Sequence, residues 1–115
     1  MVEVDPERFD ELVAEALEQI PDELARRMDN VAVVVADRGD DGDLLGRYEG
    51  IPLTERADYG VGMVLPDTIT IFRLPILAMC ATEAEVVEQV RITVVHEVGH
   101  HFGIDDDRLE ELGWG

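Results

Sequence analysis

An α+β domain is predicted by three features of this sequence. One is a β-branched run, "NVAVVVAD", and a second is an alternating stretch, "DTITIFRL". The third is helix-patterned sequence before and after these strands, with long loops between them. The 115 residues are enough for one domain, spanning 1–115. At 46% hydrophobic, the chain can build a core, which excludes a disordered acidic polymer.

The first element is "DPERFDELVAEALEQIP". Asp5 can cap a helix there, Pro6 takes its first position, and Phe9, Leu12, Val13, Ala16, Leu17 and Ile20 recur at helical spacing. "PDELARRM" restarts the helix, with Pro21 in its first turn. The valine run after Asn30 reads as a strand buried on both faces.

Six of the ten glycines fall between Arg38 and Gly62, which predicts irregular loop with one short strand around "LLGRYEG". "DTITIFRL" reads as a strand bracketed by Pro66 and Pro75, and "LPILAMCA" as a packed connection. "TEAEVVEQVRITVVHEVGHHFG" opens with Thr82 and Glu85 at capping-box spacing and closes at Gly103. It should be the longest helix, with "DDDRLEELG" forming a short one after it.

The charge is strongly biased, with 27 acidic residues against 9 basic ones and a net of −18. Such a field repels phosphate backbones, so no nucleic-acid partner is expected. No apolar run approaches the roughly 20 residues that span a bilayer, so no membrane partner is expected either. The acidic N-terminus lacks the basic and apolar segments of a signal peptide, and Cys80 is the single cysteine. A cytoplasmic, reduced protein is expected, with Cys80 a buried hydrophobe.

All three histidines lie within six positions, "HEVGHH". Wound as a helix, His96 and His100 share one face, in line with Glu85, Gln89 and Thr93. Val87, Val90, Val94, Val95, Val98 and Phe102 occupy the opposite arc. Two imidazoles one turn apart can share one metal ion, and Glu97 is rotated to serve as general base rather than ligand. A third ligand requires the chain to turn back, which Gly103 permits. Asp106 is the best-placed oxygen donor, with Asp105 and Asp107 open alternatives. His101 lies off the ligand stripe and is expected to pack or support.

The stretch His96–Asp106, "HEVGHHFGIDD", resembles the zincin metallopeptidase pattern H-E-x-x-H-x-x-G-x-x-D, whose third ligand is an aspartate. The wider stretch from "TITIFRLPI" to "HEVGHHFGIDDDRLEELGW" is similar to a family of small bacterial zincin-like proteins. The resemblance implies a minimal zincin-like domain, with an active-site helix bearing the motif and a backing N-terminal helix. It implies Zn2+ held by His96, His100 and Asp106, and a zinc-bound water attacking a peptide carbonyl with Glu97 as general base. It further implies a peptide or protein substrate, and that "DTITIFR" is the sheet edge lining the cleft.

A methionine turn and a lower wall after the third ligand are not expected, since all four methionines precede the motif. A pocket wall would then come from the Arg38–Gly62 loops or from a partner. Tyr48, Tyr59, Arg73 and His101 are the candidates for stabilising an oxyanion. The alternative reading is a non-catalytic zinc-binding or interaction module. A metal-dependent ribonuclease is disfavoured. The rRNA-maturation endoribonucleases carry H-x-x-x-H-x-x-x-x-x-H, whereas this chain has Asp106 at the third position and Glu97 after the first histidine.

Overall fold

The computed structural model describes residues 2–50 and 67–113. Tyr59, Pro66 and the rest of the glycine-rich stretch beyond Gly50 lie outside the described residues.

Helix α1 spans Pro6–Glu18 and is capped by Asp5, whose carboxylate accepts from the Arg8 amide at 2.8 Å. Its apolar stripe, Phe9, Leu12, Val13 and Ala16, is buried. Helix α2, Asp22–Arg27, begins one residue later than expected, with Pro21 at its N-cap. Strands β1 (Val31–Ala36), β2 (Gly46–Glu49) and β3 (Asp67–Phe72) form one mixed sheet. The order is β1-β3-β2, with β1 parallel and β2 antiparallel to β3.

That order overturns two expectations. Among the described residues the valine run is an edge strand, and it is not buried on both faces. Val31, Val33 and Val35 pack toward the core, while Val34 is 44% exposed on the other face. A continuous apolar run concealed this alternation. "DTITIF" is the central strand, so it is not the sheet edge. Among the described residues, the edge beside the long helix is β2.

"RLPILA" forms helix α3, Arg73–Ala78, where a non-helical connection was expected. Pro75 is tolerated because it falls in the first turn, where backbone N–H groups have no helical acceptor to lose. Helix α4 runs Glu83–His101, and the Thr82 hydroxyl accepts from the Glu85 amide at 3.1 Å. The Glu85 carboxylate reaches the Ala81 amide, one residue outside the usual capping box. The last helix, α5, spans Asp106–Glu111.

The core lies between α1, α4 and one face of the sheet. Val86, Val90, Val94 and Val98 of α4 meet Ile69 and Ile71 of β3 and the α1 stripe, all fully buried or nearly so. Thr93 joins them at 6% exposure and donates its hydroxyl to the Gln89 carbonyl, whereas Phe102 is exposed. The polar stripe of α4 is thus interrupted at Thr93, because β2 crosses the helix there.

The crossing is close. A Cβ on Gly46 would lie 2.7 Å from the Thr93 methyl and 3.1 Å from the Thr70 carbonyl oxygen. Gly46→Ala is therefore expected to lower the unfolding free energy by about 1–3 kcal/mol, the usual cost of overpacking. Urea denaturation with an unchanged m-value checks this.

Candidate metal centre

The last two turns of α4 carry the histidines. Their valine neighbours face the core, so the helical repeat turns His96 and His100 outward. Their ring centroids stand 4.1 Å apart. Both side chains are roughly half exposed.

The chain then reverses. Gly103, at φ +79°, closes α4 with its amide donating to the His100 carbonyl and the Ile104 amide donating to the Gly99 carbonyl. These two bonds make a Schellman cap, which needs a left-handed residue where glycine alone is unstrained. Asp105 follows as the N-cap of α5, accepting from the Arg108 amide at 2.9 Å. Leu109, 3% exposed, lies against Gly99, where a Cβ would approach its methyls to 3.0 Å. The missing side chain at Gly99 is what lets α5 fold back onto α4.

The reversal delivers Asp106 to the histidines. Its Oδ1 lies 3.0 Å from His96 Nδ1 and 3.0 Å from His100 Nε2. One donor atom from each of the three residues falls within 4.8 Å of the others. A tetrahedral ion with bonds near 2.0–2.1 Å separates its ligand atoms by about 3.3 Å, so the trio suits a small cation after slight adjustment. The donor set suits it too, with two imidazoles and a carboxylate. The His100 hydrogen bond, helped by both imidazoles' charge, holds the Asp106 carboxyl below its ordinary pKa. Asp106 is therefore ionised at neutral pH. Asp105 is committed to its cap, and Asp107 is outside the trio.

Glu97 is not one of the three donors. With His96 it borders a groove of about 360 Å³ whose other wall is the segment Asp43–Gly46. This segment belongs to the loop region expected to build a pocket wall.

His101 does not join the trio. Its ring stacks on Tyr48 with centroids 3.9 Å apart and planes 16° from parallel. Tyr48 donates its hydroxyl to Asp67 Oδ2 at 2.7 Å, and His101 Nε2 lies 3.8 Å from the same oxygen. The cluster ties the end of α4 to β2 and β3. Arg73 is farther off still, donating to Asp37 and to the Val4 carbonyl beside a separate cavity. Sequence reasoning missed the Tyr48–His101–Asp67 cluster and the Gly99–Leu109 contact. The first joins residues far apart in the chain and has no local signal. The second had one, a glycine inside a helix three residues before its C-cap.

A family model for zincin-like metallopeptidases matches residues 28–114. The chain belongs to that family. A solved structure, of a conserved hypothetical protein from T. thermophilus, is 23% identical and superposes with a TM-score of 0.54. The alignment covers 95% of this chain and 97% of that one, and it speaks to the fold alone. No curated protein matches. In this zincin-like chain, the trio of donor atoms lies within the matched residues.

Because Leu109 seats α5, Leu109→Ala is expected to release that helix while α4 stays folded. Hydrogen exchange should show protection lost at Arg108–Leu112 and retained at Val90–Val95.

Proposed function

We propose that this chain is a zinc-dependent metallopeptidase in which His96, His100 and Asp106 hold the ion and Glu97 is the general base. The observation that carries the reading is the convergence of three donor atoms from the family motif, with the Glu97 side chain beside a groove. Zinc, when bound, supplies Lewis acidity toward a substrate carbonyl and toward water.

The chain's own residues supply the rest. The two imidazoles leave the −1 charge of Asp106 as the single anionic ligand, so the centre retains net positive charge toward a carbonyl oxygen. Glu97 is one residue past His96 and lines the groove, which supports a role in which its carboxylate takes a proton from water at the groove's end. The same oxygen can return that proton to the leaving amine. The groove wall from Asp43 to Gly46 borders the space a substrate chain would occupy.

A second reading, a zinc-binding module without turnover, is favoured by one observation. Among the described residues, the expected oxyanion donors are engaged elsewhere: Tyr48 on Asp67, His101 on Tyr48, and Arg73 on Asp37 and Val4.

Elemental analysis and peptide cleavage separate the two. About one zinc per chain is expected in the unaltered protein, with Asp106→Ala binding at least tenfold more weakly. Glu97→Gln should keep zinc while turnover falls by roughly 10²–10⁴, the usual contribution of a general base. Undiminished cleavage by Glu97→Gln would remove the proposed base. Zinc-dependent thermal stabilisation without any cleavage would favour the binding module.

A further inference from the structure

We propose that the groove beside His96 and Glu97 selects extended peptides that place a large aliphatic side chain next to a lysine or arginine. The inference rests on the peptidase reading, because the groove opens onto the same two residues. It names the substrate class that reading leaves open.

The aliphatic half comes from Ile92. This residue is 40% exposed on α4, one turn before His96, and it lines the groove. Leu44 and Leu45, both only partly buried, face it across the groove. The two walls are a helix and the chain that leaves the Asp41–Asp43 turn to enter β2, and the open space between them suits a ligand segment laid along the helix. A peptide side chain inserted there would remove apolar surface of its own and of Ile92 from water.

The cationic half comes from Asp43. It stands on the groove's rim, and apart from His96 the charged residues of the lining are Asp43 and Glu97, both carboxylates. Among the described residues, neither carboxylate has a hydrogen bond or ion pair. Of the nearby arginines, Arg47 pairs with Glu49 and Arg91 with Glu88, while Arg38 donates to the Gly42 carbonyl at 3.4 Å and forms no ion pair with Asp43. Asp43 is thus an exposed carboxylate without an ion pair at the rim of apolar walls, open to a cationic side chain from solvent. The net charge of −18 adds a long-range attraction for basic chains that weakens with salt. An acidic residue at the same position would be repelled, so the groove discriminates in both directions.

The test uses zinc-reconstituted protein and zinc-reconstituted Glu97→Gln with one mixed decapeptide library. Cleaved peptides are read from the first and retained peptides from the second, by mass spectrometry. Both sets are expected to be enriched in Leu, Ile or Met adjacent to Lys or Arg. Asp43→Asn should reduce the basic preference roughly two- to fivefold, as for a partly exposed ion pair, and leave the aliphatic preference intact. Ile92→Ala should do the converse, by roughly fivefold. Glu15→Gln, which removes the same charge from α1, should change neither.

Absence of enrichment from both sets would overturn the proposal, as would preferences that survive Asp43→Asn and Ile92→Ala. Cleavage without enrichment would sink the specificity and leave the peptidase reading standing. Enrichment on Glu97→Gln without cleavage by the unaltered protein would do the reverse.

Discussion

The left-handed turn at Gly103 is the constraint on which the site geometry depends. Without it α4 would continue, and the residues after Phe102 would travel away from the histidines at 1.5 Å per residue. With it, a six-residue helix far too short to be stable alone is laid back along its predecessor. Three modest contributions then hold it there: the Schellman bonds, the Asp105 cap, and Leu109 seated on Gly99. Each is worth on the order of 1 kcal/mol or a little more, and together they place one carboxylate oxygen within hydrogen-bond distance of two imidazoles.

Helix α4 joins the core to the site. Its valines face the sheet and α1, and its histidines face outward, so packing on one side sets the angular position of the other. The Tyr48–His101 stack and the Gly46–Thr93 approach fix the same helix against β2. A rotation of α4 that would carry His96 off Asp106 would also expose Val94 and Val98 and open those contacts. The geometry is therefore stabilised by burial well away from the exposed imidazoles and carboxylate themselves.

Much of this was legible in the sequence. The helix from Thr82, its end at Gly103 and the short helix after it all carry local signals: a hydroxyl cap, a glycine and an aspartate cap. The candidate trio was legible because its members lie within eleven consecutive positions and helical geometry relates two of them. What failed was whatever depended on strand order. A run of valines looks the same whether it lies in the middle of a sheet or at its edge. Only the pairing of β1 and β2 with β3 shows that "DTITIF" is central. The burial of Thr93 likewise follows from a glycine 47 positions earlier in the chain, and the helical stripe alone gives no hint of it. The solvent-facing Phe102 shows the opposite error, in which an apolar residue at the right period lay one turn beyond the sheet.

The order of elements along the chain bears on synthesis. All three strands precede α4, yet α4 supplies the largest share of the surface that covers them. A chain emerging from its N-terminus cannot shelter Ile69 and Ile71 beneath α4 until that helix has been made. The parallel pairing of β1 with β3 adds a delay, since it joins residues 36 apart in sequence. During that interval the outer edges of the described strands and a bare apolar face coexist on one nascent chain, the conditions under which strands find wrong partners. A high density of like charge counters such encounters by mutual repulsion. The strong acidity of this chain thus guards the interval between translation of the sheet and arrival of the helix that covers it.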